Sequence, residues 1–316
     1  NGAISVQESS ALTTGIENSG TINSSVNSNN RAIQVVLSGN VPNITNTATG
    51  VVNGDIYADT ANSLSLDNSG AINGAITFFN NTPGTINLNG TTGTITGAVT
   101  GAATTVNTVG TFSTQNTFDV ESFNINAGGN LTLNNNVTLV AGNTFTNAGN
   151  VTVTATNSPT ITGNYSQSGT YTLGVNSPSA YSILNVSGNA AFSGAYSFNL
   201  LSSSNLLVNN TYQGILKSAA ITGFSTKTYI QNFGGYTYQY QVFQDNTNTN
   251  WLDLLVLRAI STAATQASLQ NTAYALRGVY DIANVSMNNN LNLDSNLYDV
   301  NGISVSLVGA HTNIAG

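Results

Sequence analysis

Up to about residue 257 the apolar positions recur in short alternating runs, and helical spacing is essentially absent. Alternation by two marks extended segments with one buried face. One phrase repeats. Ile16-Glu17-Asn18-Ser19-Gly20-Thr21-Ile22 is echoed by Leu66-Asp67-Asn68-Ser69-Gly70-Ala71-Ile72. Weaker copies run from Asn46 through Gly50 to Ile56, and from Gly93 to Val99. The shared core is Asn-x-Gly-x-Ile-x-x-x-Ile. Its aliphatic residues, two and six places after the Gly, share one face of an extended segment. Asn and Gly are expected to supply left-handed turn geometry between the strands. The pattern continues through Leu131-Thr132-Leu133, Val137-Thr138-Leu139 and Val151-Thr152-Val153.

Units this short cannot bury a face alone, but stacked they share a core. The expected fold is all-β: a right-handed parallel β-helix. With turns of roughly 20–25 residues it would have about a dozen rungs. At about 4.8 Å per strand the rod would be roughly 50–60 Å long.

Composition sharpens this picture. The 316 residues hold 50 Asn, 43 Thr and 31 Gly, and only 5% are charged. Stacking places like residues over like, so identical charges would repel where Asn and Thr hydrogen-bond. Net charge is -7, and no Lys or Arg occurs between Arg31 and Lys217, which excludes a nucleic-acid-binding face. The absence of Cys excludes disulfide scaffolds and thiolate metal sites. At 40% hydrophobic residues the chain can bury a core. No basic leader or spanning apolar run is visible, and the first residue is Asn1, so a mature form or a fragment is expected. Lack of Cys with few Lys suits secretion through a bacterial envelope.

Aromatic content shifts near residue 164. Of 13 Tyr, only Tyr57 precedes it. Tyr236 to Phe243 alternates by two, as does part of Trp251 to Val256, and the Asn/Thr run 246–250 makes a turn between them. A β-hairpin is expected there, with Trp251 packed inside it. This gives three regions: a stalk over 1–163, a β cap over 164–257, and a tail over 258–316. In the tail, Leu269, Ala273, Leu276, Tyr280, Ala283 and Met287 recur at steps of four and three, an amphipathic helix interrupted by Gly278 and stopped by Asn288 to Asn290. Asn301-Gly302 then separates residues 297–300 from 303–307, a hairpin signal.

The segment Tyr165-Ser166-Gln167-Ser168-Gly169-Thr170-Tyr171, followed by 181–194, Tyr212 to Leu216, Ile221 to Phe224 and the hairpin ending at Val256, resembles the C-terminal passenger region of autotransporters, the type V secreted proteins of Gram-negative bacteria. The early Asn-Ser-Gly phrases resemble that family's rungs. The resemblance implies a passenger threaded C-terminus first through the outer membrane. It implies an autochaperone segment at 164–257 that folds first, a tail helix that lies in the pore of a translocator barrel, and an extracellular or cell-surface location. A helix packing on the cap is the plain alternative for the tail. The family's barrel needs some 250 residues beyond Gly316.

Candidate chemistry is sparse. Asp119 and Glu121 lie two apart on an expected strand, so both carboxylates share a face, as in some glycan-cleaving β-helix enzymes. The plain reading is a solvated outer face. Asp55, Asp59 and Asp67 surround Tyr57 and would bind Ca²⁺ only if a turn brought them together. His311 is the sole histidine, and no Gly-x-Ser-x-Gly elbow accompanies it. No catalytic, cofactor-binding or metal-ligating residue is therefore assigned, and no cofactor is expected. The expected role is a non-enzymatic stalk for adhesion, self-association or display. Its expected partners are a second copy, a host-surface glycan or protein, and the barrel of the same precursor, with no nucleic acid. The alternatives are a carrier for an upstream catalytic domain, such as a subtilisin-like protease or a toxin, and a glycan-active β-helix enzyme.

Overall fold

A computed structural model describes residues 3–8, 10–24, 29–90, 93–200, 207–289, 298–300 and 303–305. The alternating segments form stacked parallel strands, a β-solenoid of about eight turns. One column of the core runs Ile4, Ile33, Ile56, Ile76, Val99, Phe118, Val137, Ile161 and Val186, each paired in parallel with the next. A second runs Ile16, Ile44, Leu66, Ile86, Val106, Phe123, Phe145 and Tyr165. A third begins Ile22, Val52, Ile72 and Ile95. Nearly all of these side chains are buried. Each turn thus buries three short apolar faces that none could bury alone.

The turns number about eight rather than a dozen because parallel coiling gives way to antiparallel pairing. Strand Thr211–Lys217 takes its place on the last rung through Leu184↔Leu216, then pairs antiparallel with Trp251–Ser261 through Tyr212↔Leu254 and Leu216↔Leu252. The turns are also uneven: the first spans Ile4 to Ile33, the fifth Val99 to Phe118. Coiling does not break at residue 163, since Phe145↔Tyr165 and Thr152↔Thr172 continue the parallel register across it. The expected hairpin is present as Tyr236–Gln244 and Trp251–Ser261. Asp245 holds its turn by accepting the backbone N–H groups of Thr247 and Asn248.

The repeated Asn forms an internal ladder. Asn18 donates from Nδ2 to Asn46 Oδ1 at 2.8 Å, and Asn46 donates likewise to Asn68 at 2.9 Å. Each amide also donates to a carbonyl of the following corner: Val51 for Asn18, Ala71 for Asn46, Thr94 for Asn68. Asn46 and Asn68 are fully buried. An amide carries both donor and acceptor, so a column of amides satisfies itself. Two further ladders lie on the outside, Asn23–Asn53–Asn73 and Asp67–Asn87–Asn107–Asn124. The second ends on a carboxylate that only accepts, with every amide donating toward it.

The glycines of the phrase act differently from expectation. Gly20, Gly50 and Gly70 do not adopt positive φ. Instead, a Cβ on Gly70 would lie 2.3 Å from the carbonyl oxygens of Gly50 and Thr47, and one on Gly50 would lie 2.4 Å from that of Asn18. The corners at Gly50 and Gly70 need glycine because successive rungs touch there, whereas a Cβ on Gly20 would meet nothing within 4 Å.

From the middle of the solenoid the core becomes aromatic. Phe118 meets Phe123 edge-on at 5.2 Å, and Phe123 stacks on Phe145 at 4.9 Å. Tyr165, Phe192 and Tyr196 continue the series at about 6 Å spacing. Tyr196 then meets Tyr229, which stacks on Tyr240. Tyr171 donates its hydroxyl to the Ile215 carbonyl, and Tyr240 to that of Tyr196. Burial pushes the Tyr165, Tyr171, Tyr196 and Tyr240 phenols upward, so all stay protonated.

The cap also buries one acid. Asp253 is 3% exposed and accepts the Gly214 N–H at 2.7 Å. Burial raises its pKa, the Gly214 bond opposes that, and the nearby Asp245 adds to it. A carboxyl whose pKa is raised on folding stabilises most below its unfolded value, and that contribution is lost as pH rises through the folded value. Asp253→Ala is expected to cost about 2 kcal/mol, because it strands a buried donor. Asp253→Asn keeps an acceptor and should flatten the acid-side gain. Urea midpoints in mild acid and at neutral pH would check both variants. An Asn variant with the wild-type pH profile would refute the assignment.

Residues 232–237 and 259–316 form a second unit. Its helix spans Ala263–Asn289 and contains Gly278 without a break. Of the expected apolar stripe, Leu276 and Tyr280 are exposed, as is Tyr274. The side chains of Leu269, Ala283 and Met287 lie outside the described residues, as does Asn290. Tyr298–Val300 and Ile303–Val305 pair antiparallel as expected, while Asn301 and Gly302 lie outside the described residues. Among the described residues no helix is long and apolar enough to cross a membrane.

Candidate functional site

On one outer face of the solenoid, Tyr57, Thr77, Thr100, Asp119 and Thr138 occupy successive rungs in parallel register. Alternation makes them the outward partners of the core residues Ile56, Ile76, Val99 and Phe118. Beside this column lies an open groove of about 350 Å³, lined by Thr77, Phe78, Phe79, Asn80, Asn81, Thr100, Gly101, Ala102 and Asp119.

Two local features make the groove. The first is a turn at Asn80-Asn81, with φ of 49° and 58°. Asn tolerates this left-handed region better than most residues. Thr82 pins the turn by donating to the Phe79 carbonyl at 2.6 Å while accepting the Thr60 N–H at 3.0 Å. Phe79 is thereby held outward, 48% exposed. The second is a bulge. Gly101 pairs with Val120 but Thr105 with Ser122, so residues 102–104 stand opposite Glu121 alone. The displaced strand forms the groove's far wall.

The aromatic side is fixed in place. The Phe79 and Tyr57 rings stack at 6.1 Å and 29°, and the Arg31 guanidinium lies 3.6 Å from the Tyr57 ring centroid. Burial raises the Tyr57 pKa, as does the Asp59 carboxylate, while Arg31 opposes the shift. Asp59 in turn accepts a hydrogen bond from the Asn80 amide at 3.2 Å. Thr100 donates to Thr77 at 3.4 Å. The surface thus combines an open ring, hydroxyls, amides and one carboxylate.

The sequence candidates separate. Asp119 is exposed and lines the groove, whereas Glu121 is half-buried and does not line it. A glycosidase needs two carboxyl groups flanking one bond, about 5–10 Å apart. The groove lining supplies one. Asp55, Asp59 and Asp67 each accept from a different partner: Asp55 from the Ala75 N–H, Asp59 from Asn80, Asp67 from Asn87. Among the described residues no three His, Cys, Asp or Glu side chains are grouped to hold a metal. His311 lies outside the described residues. Trp251, expected inside the terminal hairpin, is half-buried at the start of its strand, with Lys217 Nζ 4.3 Å from its ring centroid. The strand pairing places Lys217 directly across from it.

Sequence reasoning missed the pairing of Arg31, Tyr57 and Phe79. A signal was present: of two consecutive aromatics at the end of an alternating run, Phe78-Phe79, only one can face the core, so the other is outward. No protein-family model, curated protein or solved structure matches the chain.

Proposed function

We propose that the chain is a non-enzymatic, surface-displayed stalk of the autotransporter passenger type. The observation that carries this reading is the joining of a parallel solenoid to an antiparallel, Tyr-rich cap at its C-terminal end. A solenoid of self-satisfied Asn ladders is rigid and holds itself together with few charges, which suits a spacer. The cap covers the last rung's edge, which would otherwise recruit another strand. In a chain that leaves the cell C-terminus first, the cap emerges first and offers a template edge for the rungs that follow. The tail unit then leads toward a translocator barrel of the same precursor. The outer Asn ladders offer a second copy repeated hydrogen-bonding groups, each worth about 1 kcal/mol, so association needs many aligned rungs.

The test is topological. The precursor gene is expressed in a Gram-negative host, and intact cells are treated with an external protease. The solenoid should carry epitopes reachable by antibody on intact cells and be shed or cleaved while a periplasmic marker stays intact. A chain protected until lysis would refute surface display.

A further inference from the structure

We propose that the groove beside Phe79 is a binding subsite for an uncharged hexose chain. The inference is independent of the secretion route and rests on the groove alone.

Phe79 leaves nearly half its surface in water although it borders a polar rung column. Its position is enforced by a two-residue left-handed turn and by Thr82, so the exposure is built into the backbone. Tyr57, engaged by both Arg31 and Asp59, is a fixed platform behind it. A pyranose ring presents C–H groups on one face and hydroxyls around its rim. The C–H face matches the negative face of an aromatic ring. The rim hydroxyls match the acceptor carboxylate of Asp119, the hydroxyls of Thr77 and Thr100, and the amides of Asn80 and Asn81. A carboxylate acceptor makes the strongest of these bonds.

The arrangement also selects the kind of glycan. Thr77, Thr100 and Asp119 lie on successive rungs, about 4.8 Å apart. A linear chain lying along the solenoid therefore meets a polar group at each step. The groove is open and bulge-walled, so it admits the middle of a chain as well as its end. Asp119 and Asp59 make the region negative, and Arg31, its one base, is already placed over Tyr57. Uronates and sialylated glycans would be repelled. The role assigned is binding, with Asp119 the one carboxylate in the lining.

The test is saturation-transfer NMR on the purified full chain at millimolar ligand. The probes are neutral tetrasaccharides of glucose, mannose, galactose and N-acetylglucosamine, with tetragalacturonate as the acidic comparison. At least one neutral probe should show transfer, and tetragalacturonate none. Phe79→Ala should weaken that probe about tenfold, through loss of the ring contact. Phe79→Leu, which keeps apolar bulk without a π face, should also weaken it, and guards against a folding defect in the Ala variant. Asp119→Asn should weaken it several-fold, while Thr152→Ala, on a different sheet of the solenoid where it pairs with Thr132, should not change it. Silence from all neutral probes, a preference for the uronate, or unchanged binding in both Phe79 variants would overturn the proposal.

Discussion

A chain ending before residue 211 is expected to lose cooperative folding, whereas a chain lacking residues 1–97 is expected to keep it. The asymmetry follows from where the large side chains pack. Removing the cap uncovers the edge formed by Leu184–Val186 and Asn189–Phe192, which pair with Thr211–Lys217 and Ala220–Thr222. It also strips the rings of Tyr229, Tyr238 and Tyr240 from Tyr196 and Phe198, which are 3% and 2% exposed in the intact chain. Losing one buried aromatic contact set costs about 3–5 kcal/mol. A whole domain is stable by only about 5–15 kcal/mol, so two or three such losses suffice. Removing the first turns instead exposes Val99, Val106 and Phe112, and the aromatic series from Phe118 to Tyr240 stays complete. Urea titration followed by circular dichroism, with size-exclusion chromatography, would separate the outcomes. The capless chain should aggregate or show a broad, shallow transition. A capless chain with the full chain's midpoint would refute the cap's role, and with it the argument that it templates the rungs.

The solenoid was legible in the sequence because its register is written in every rung. The phrase's Asn and Ile residues stack with their counterparts, Asn18 on Asn46 on Asn68 and Ile22 on Val52 on Ile72. The low charge was legible for the same reason. The glycine requirement was misread because contact between rungs is a property of stacking, not of local dihedral preference. The continuous series of buried ring contacts begins at Phe112 and Phe118, well before residue 164, because a stacked position accepts Phe or Tyr alike, and only the Tyr count shifts at that point. The groove was hidden by uneven turns. Arg31, Tyr57, Phe79 and Asp119 come from different rungs, and the bulge at residues 102–104 has no signature beyond small residues. Asp119 was singled out correctly as outward. Glu121, two residues on and opposite the bulge, is half-buried and does not line the groove.

Changes at Asn46 should report most directly on how the rungs hold together. Its side chain is fully buried, accepts from Asn18, and donates to both Asn68 Oδ1 and the Ala71 carbonyl. Asn46→Ala removes these bonds and leaves a small cavity among buried polar groups, so a loss of about 3 kcal/mol is expected. Asn46→Asp is nearly isosteric, yet should be worse above neutral pH. A carboxylate can still accept from Asn18, but it faces two acceptors where the amide donated, and a buried unpaired charge costs about 3–5 kcal/mol. Burial and facing acceptors would raise the new carboxyl's pKa. The protonated form can donate to one of the two acceptors, so the variant's stability should be best in acid and fall as pH rises through that raised value. Denaturant midpoints of the wild type and both variants, in mild acid and in mild alkali, give the comparison. The Asp variant should lie below the Ala variant in alkali, and the gap should close or reverse in acid. If Asn46→Asp matches the wild type in alkali, the ladder does not have the donor polarity described, and amide stacking is not what limits charge in this solenoid.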